Sequence, residues 1–418
     1  MIKELSLKNW KSFETTTLFI DPLNVLIGTN ASGKSNILDA FLFLYRLAWG
    51  KQILSSVNGD SELSAIRGGL DWIVRKGETE CELQVLTDSD YVDIDYKYTI
   101  KLRRINGSRF ELCDERLESI RKNPRVGIKI KNLYTTQDDS SDTPSISAYF
   151  TTETQGRGKR IDMSRSFSIL SQIETMGIRI EVKEAGIKVM NELRNIFILD
   201  PIPNHMRTFS KLSDRLQPDA ANIAGVLAAL PEDKKADVES ILTEYVTHLP
   251  EKDILKIWSE TVGLFKTDAM LYCKEQWNET ESLDIDARGM SDGTLRFLAI
   301  ITALLTVKEE SLLIIEEIDN GLHPSRANKL VSMLQDLGKK RKVDILCTTH
   351  NPALLDAFGN SMIPFISYVH RNKKTGCSNI TLLEDFDMLP KLMASGTIGE
   401  LMTKGSLEQS VERSESHE

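Results

Sequence analysis

Eight consecutive residues, Gly28-Thr29-Asn30-Ala31-Ser32-Gly33-Lys34-Ser35, fit the pattern GxxxxGK[ST] in full. The chemistry this spacing serves is a grip on a triphosphate. The two glycines let the backbone turn its N–H groups inward around the β- and γ-phosphates. Lys34 adds a mobile positive charge, and the Ser35 hydroxyl is suited to coordinate Mg²⁺. An apolar run, LNVLIG, precedes the loop, and SNILDAFLFLYRLAW follows it with good helix formers and no breaker. A helix starting there points its partial positive end at the phosphates. The expected nucleotide contacts are Gly28, Asn30, Ala31, Ser32, Gly33, Lys34, Ser35 and Asn36. A strand-turn-helix with no ligand is the alternative, and the complete motif in this context argues against it.

A second constellation lies near the other end. SLLIIEEIDNGLHP puts Glu316 and Glu317 after a short apolar strand. Carboxylates there face the crevice at the strands' carboxyl ends, where doubly wound sheets take ligands. Glu316 can hold Mg²⁺ directly or through water, and Glu317 can orient or deprotonate an attacking water. A further apolar run, VDILCTT, ends at His350, which in that order can reach a γ-phosphate from beside the acidic pair. Ser291-Asp292-Gly293-Thr294 stands just before a long helical run, and a helix start with small residues is an anion site. As a bare string it reads equally as a helix N-cap.

These residues need a sheet behind them. Strands are expected at Ile2 to Leu7, Thr16 to Ile20 and Leu23 to Gly28, and residues 61–77 read as a short helix, a Gly68-Gly69 break and a turn. CELQVL, YVDIDYKYTIKLRRI and SRFELCDERL alternate with period two, predicting an antiparallel sheet with one wet face. From about 121 to 170 the pattern fades. TTQDDSSDTPS and QGRGKR read as loops, residues 209–270 as helical, and the last dozen residues as a frayed polar tail. No internal repeat or long heptad run is present. The predicted organisation is an α/β fold: 1–100 and 276–380 form one nucleotide-binding body, 101–275 is a mixed α+β insertion, and 381–418 is a C-terminal extension.

The formal net charge of −9 argues against indiscriminate nucleic-acid binding, so any DNA contact would come from local basic patches or a partner chain. QGRGKR and the Arg121-Lys122…Arg125 stretch are the loop-like candidates, whereas LGKKRK at 337–342 reads as the solvated end of a helix. The five scattered cysteines lack CxxC spacing, which speaks against a disulfide framework and a zinc site. No stretch approaches the roughly 20 apolar residues of a membrane helix, and the start MIKELSLKNWKSF carries no export signal. A cytoplasmic protein is expected.

The order P-loop, SDGT, IIEE, TTH resembles the ABC ATPase superfamily, and within it the RecF, SMC and OLD-like heads. LKNWKSFE looks like the first strand of those heads. EEIDNGLHPSR resembles the EEPExxLHP segment of prokaryotic AAA-type ATPases, and IFILDPIPNHMR and LQPDAANIAGVL are similar to their middle region. The resemblance implies an ABC-ATPase head with a mostly parallel core sheet, an antiparallel β subdomain and the insertion. It implies ATP and Mg²⁺ as cofactors, and hydrolysis by a head-to-tail homodimer or higher homo-oligomer. In that likeness Ser291 to Thr294 is the signature motif, with Ser291 and Gly293 contacting ATP held by the other subunit. Glu316 is the Walker B acid and metal ligand with Ser35, Glu317 the catalytic carboxylate, His350 the switch histidine, and Asn320 to His323 the D-loop. Lys11 matches the basic position of the opening motif.

The chain departs from the pattern at three places: Glu316 where Asp is common, Ile318 where Pro is usual, and Asp292 where transporters have Gly. The Q-loop glutamine has two candidates, Gln84 and the Arg75-Lys76-Gly77 turn. OLD-like nucleases carry a TOPRIM domain after the head, and the 68 residues after His350 are too few for one. The lone DxD-like string Asp385-Phe386-Asp387 reads as a loop. The expected role is thus the ATPase or sensor of a two-component defence system controlling a separate effector, such as a nuclease or toxin. The alternatives are a RecF-like repair ATPase that binds DNA directly and a nucleotide-binding scaffold with negligible turnover.

Overall fold

A computed structural model describes all residues except 106, 108, 124–126, 138–142, 153–157, 248–253, 387 and 418, with the side chains of 123 and 414–417 also outside it. The chain divides into two compact units, one built from 1–21, 28–196 and 369–381, the other from 22–27, 197–368 and 382–418.

The first unit is organised by antiparallel pairing. Ile2–Trp10 lies between Phe13–Phe19 and Glu80–Asp88, and the strands Ile94–Ile105, Arg109–Asn123, Gly127–Gln137, Ser145–Phe150 and Lys159–Ser164 add in chain order. The expected alternation is plain in Glu80–Asp88, where Cys81, Leu83 and Val85 are buried and Glu82 and Gln84 are not. The helices Lys34–Ala48 and Ile180–Arg194 belong to this unit. Trp10, Phe41 and Phe43 are fully buried, which fixes the first helix's apolar face.

Within this sheet lies a fully buried carboxylate, Glu115. It accepts bonds from the Tyr98 and Tyr134 hydroxyls at 3.1 and 3.0 Å, from Ser168 Oγ at 2.9 Å, and from the backbone N–H groups of Ile169 and Leu170 at 2.8 Å each. Those bonds pin the start of the Leu170–Thr175 3₁₀ turn to the strands.

The second unit holds a set of parallel strands. In spatial order they are Leu312–Ile315, Asp344–Thr348, Leu23–Ile27 and Ile366–Arg371, with Ile196–Leu199 beside Leu312–Ile315; Ile196–Leu199 and Ile366–Arg371 run partly into the other unit's residues. The pairings Leu313↔Ile345, Cys347↔Val25 and Ser367↔Leu26 are all parallel. Leu312–Ile315, Asp344–Thr348 and Leu23–Ile27 are buried along their whole length, the mark of strands covered on both faces. The helices Asp292–Thr306 and Ala327–Arg341 supply much of the apolar core with these strands. A second, smaller sheet pairs Asp268–Gln276 with Ile254–Val262, Ser282–Asp286 and Ser210–Lys211. Together the units make the expected α/β class.

Three expectations need correction. Residues 121–170 are largely stranded, because their pairing comes from neighbouring strands and not from local alternation. Among its described residues the 209–270 segment is helical only at Ile223–Ala229 and Glu232–Thr247, and Ile254–Val262 is a strand; Ile257 and Ser259 face inward there while Trp258 and Glu260 do not. The tail is a helix, Ser406–His417, held by the i, i+4 pair Leu407 and Val411. Of the two loops, 138–142 of TTQDDSSDTPS and 155–157 of QGRGKR lie outside the described residues. All five cysteines are free and buried. No helix among the described residues is long and apolar enough to cross a membrane.

Candidate functional site

In the first unit the motif folds as a tight loop. Gly28 has φ 142° and Gly33 φ 118°, and a Cβ at Gly28 would stand 2.0 Å from the Val369 carbonyl oxygen. Only glycine fits there. Ala31 adopts φ 62° without that excuse, a conformation that costs energy and recurs at ligand-binding loops. Thr29, Asn30 and Ala31 form an exposed rim, while Ser32 and Lys34 are buried. Lys34 Nζ curls back over the loop, donating to the carbonyls of Gly28 at 2.8 Å and Thr29 at 2.9 Å.

The helix Lys34–Ala48 starts with no side-chain cap and no acidic residue in its first turn. A bare helix N-terminus has unsatisfied N–H groups and a positive end. Beside it, the Ser32 hydroxyl is buried with no partner among the described residues. An uncapped helix start, a loop turned by two positive-φ glycines and an orphaned hydroxyl suit a phosphate chain. Asn36 points elsewhere: its amide donates to Ser12 Oγ at 2.8 Å.

Sequence reasoning passed over one cation here. Arg67 Nη2 donates to the Ser35 carbonyl at 3.1 Å and pairs with Asp39 at 3.0 Å. Lys11 Nζ reaches the same Asp39 at 2.5 Å and the Arg67 carbonyl at 2.7 Å. Burial pushes the Lys11 ammonium's pKa down against the pull of Asp39. The available signal for Arg67 was a basic residue directly before the Gly68-Gly69 break. Both Q-loop candidates are in this unit: Gln84 sits mid-strand opposite Ser6, and Arg75 is bonded to Asn9 Oδ1 at 3.0 Å.

In the second unit, the turn after Leu312–Ile315 carries the acidic pair. The Glu316 N–H donates to the Leu199 carbonyl at 3.2 Å. Glu317 is exposed and held at φ 47°, with its N–H donating to Thr348 Oγ1 at 2.8 Å. The Ile318 N–H then donates to the Thr348 carbonyl at 3.0 Å, and Asn320 Nδ2 reaches Glu317 Oε2 at 3.3 Å. Thr349 Oγ1 donates to Asp319 at 2.5 Å. Thus the two residues before His350 staple the acidic turn to the strand Asp344–Thr348. His350 follows, half-buried, before Asn351 caps the helix Pro352–Phe358.

Ser291 is the N-cap of Asp292–Thr306, accepting from the Thr294 N–H at 3.2 Å and donating to Thr294 Oγ1 at 2.9 Å. Gly293 packs directly on the Asn320–His323 turn, where a Cβ would lie 2.6 Å from the Gly321 carbonyl oxygen. Within this unit the structure therefore brings the signature string against the D-loop string.

The basic candidates for nucleic acid sit on strands and are paired. Arg121 meets Asp93 at 3.4 Å, Lys122 meets Asp95 at 2.8 Å, and Arg160 meets Asp162 at 3.1 Å; Arg125 and Arg157 lie outside the described residues. LGKKRK does close a helix, Ala327–Arg341, with Arg341 on Glu309 at 3.0 Å. Of the DxD-like string, Asp385 ends a 3₁₀ turn, Phe386 packs edge-on to Tyr368 at 5.9 Å, and Asp387 lies outside the described residues.

Comparison with known proteins bears on the family and the fold. A family model described as "AAA domain, putative AbiEii toxin, Type IV TA system" matches residues 23–356. A chromosome partition protein Smc of Mycolicibacterium paratuberculosis is 32% identical over 127 residues, 27% of this chain and 10% of that protein. A DNA replication and repair protein RecF of Bacillus cereus is 39% identical over 75 residues, 16% of this chain and 19% of that protein. These matches take in about a tenth to a fifth of the length of the curated relatives. Among solved structures, the Smc head bound to the C-winged helix domain of ScpA matches with a TM-score of 0.52 at 14% identity, over 91% of this chain and 96% of that one. That likeness is one of fold, the ABC-type ATPase head.

Proposed function

The chain belongs to this AbiEii-type AAA-domain family, with the head fold of the SMC and RecF ATPases, and from that premise we propose that it binds Mg-ATP and hydrolyses it as a head-to-tail dimer. The observation that carries this reading is the loop at 28–35. It combines a complete motif, an uncapped helix start without acids and a buried hydroxyl with no partner among the described residues.

In the proposed reaction Lys34 leaves the Gly28 and Thr29 carbonyls to bind the β- and γ-phosphates. Ser35 and Glu316 would hold Mg²⁺, which supplies charge neutralisation on the phosphate oxygens. Glu317 orients the attacking water and accepts its proton, and His350 contacts the γ-phosphate. The partner copy contributes its signature helix start, with Ser291 and Gly293 facing the triphosphate. Hydrolysis removes the group both copies hold, so turnover resets the interface.

For the biological role we infer an ATPase or sensor subunit that controls a separate effector protein, in a two-component defence system. The family description, which names a toxin of a toxin–antitoxin pair, supports a paired arrangement. A RecF-like role with direct DNA binding is the second reading, favoured by the RecF similarity. The ion pairs on Arg121, Lys122 and Arg160 weigh against it. Strongly salt-dependent, ATP-stimulated DNA affinity would favour the second reading; its absence at low salt would remove it.

The experiment is nucleotide binding and phosphate release by the purified chain and by Lys34→Ala. Removing a charge-assisted grip worth about 3 kcal/mol weakens ATP binding roughly a hundredfold. Equal affinity for ATP in both proteins would defeat the assignment. Binding without turnover in the wild type would leave a scaffold.

A further inference from the structure

The signature string departs from the transporter pattern at Asp292, and that departure has a structural companion. The Asp292 side chain is 65% exposed in the first turn of a 15-residue helix. A carboxylate there is favourable for the isolated helix, since it meets the positive end. It is unfavourable for a second anion arriving at the same place. Arg207, 85 positions earlier in the chain, answers this charge. Its Nη2 donates to the Met290 carbonyl at 2.7 Å and to Asp292 Oδ1 at 2.8 Å, so one nitrogen spans the residues on either side of Ser291.

The segment carrying Arg207 is itself anchored. The Asp200 and Ile202 N–H groups donate to the Pro218 and Asp219 carbonyls at 2.8 and 3.0 Å, and His205 Nδ1 lies 2.8 Å from Asp219 Oδ2. The guanidinium is thus delivered from a fixed support, not a free loop.

We propose that Arg207 is a positioning residue of the composite ATP site: it cancels the Asp292 charge and fixes the Met290–Asp292 backbone, so that the signature helix start can face the triphosphate held by a second copy. This rests on the head-to-tail reading above. Asp292 is 65% and Arg207 23% exposed, and a pair open to solvent on its carboxylate side contributes little to folding, so its main consequence falls on association with ATP. Removing Arg207 exposes an unopposed carboxylate to a triphosphate in a closing interface, where like charges set partner choice strongly.

The test compares wild type, Arg207→Gln, Arg207→Lys, Asp292→Asn and the Arg207→Gln/Asp292→Asn double variant, with Lys34→Ala as control. ATP-dependent association is followed by light scattering, alongside kcat and KM and a thermal melt. Arg207→Gln is expected to raise the ATP concentration for half-association about tenfold, with the melt unchanged and Arg207→Lys close to wild type. The double variant should recover to the level of Asp292→Asn alone, because no charge is left to cancel. A purely structural arginine would not be rescued by removing its partner. The assignment is overturned if Arg207→Gln behaves as wild type, or if the double variant is as impaired as Arg207→Gln. If Lys34→Ala associates with ATP like wild type, the head-to-tail reading fails instead, and this assignment falls with it.

Discussion

The α-carbon of Gly293 approaches the backbone of Gly321 so closely that a β-carbon would stand 2.6 Å from the Gly321 carbonyl oxygen. The obstacle is backbone, so no rotamer change relieves it. Gly293→Ala must therefore shift either the start of the signature helix or the D-loop turn. Turnover should fall on the order of a hundredfold, as small misplacements of a reacting constellation do, while ATP affinity of the single head stays near wild type. At Gly321 the situation differs: φ is 71° and the nearest atom to a Cβ is Arg296 Cδ at 3.5 Å. Gly321→Asn, which tolerates that φ, should be milder. Phosphate-release kinetics with equilibrium nucleotide binding check both, and an active Gly293→Ala would contradict the contact's importance.

Thr348 holds Glu317 in a backbone conformation few residues adopt, through the 2.8 Å bond from the Glu317 N–H to Thr348 Oγ1. Thr348→Val keeps the shape and deletes the acceptor. The turn then loses one of the three bonds that tie it to Thr348 and Thr349, at a cost of about 1–3 kcal/mol. The expected result is a drop in kcat with unchanged ATP affinity, restored by Thr348→Ser. Equal losses in the Val and Ser variants would mean that the hydroxyl is not what matters.

Glu115 gives a pH prediction. Burial raises its carboxyl pKa, against the pull of the bonds from Ile169, Leu170, Ser168 and Tyr134. A raised value in the folded state means folding is favoured by proton binding at this site. The contribution is complete below the ordinary value of 4.5 and is lost as pH rises through the folded value. Glu115→Gln cannot titrate and leaves several donors poorly matched, for a loss of about 1–3 kcal/mol. The wild-type advantage in melting temperature should shrink as pH increases from 4.5 upward; an advantage that grows with pH would reverse the sign.

The parts legible from sequence were those whose local pattern and chemistry coincide. Leu23–Ile27, Leu312–Ile315 and Asp344–Thr348 are short, mostly apolar runs bounded by polar turns, and each leads into a motif. What stayed hidden depends on distant partners. The strands between Arg109 and Ser164 owe their pairing to neighbours up to tens of residues away. Arg207 and Asp292 are 85 positions apart, and the Gly293–Gly321 approach is a backbone contact without side-chain signal. Arg121 and Lys122 looked like free basic loop residues because Asp93 and Asp95 face them only once the strands have paired.

The most direct measurement is the structure of Glu317→Gln with Mg-ATP, a variant in which stalled hydrolysis should trap the closed pair. Two copies are expected to sandwich each nucleotide, with Lys34 of one and Ser291 and Gly293 of the other on the same triphosphate. A nucleotide-loaded protein whose Ser291 and Gly293 lie far from every triphosphate, in every assembly, would contradict the account.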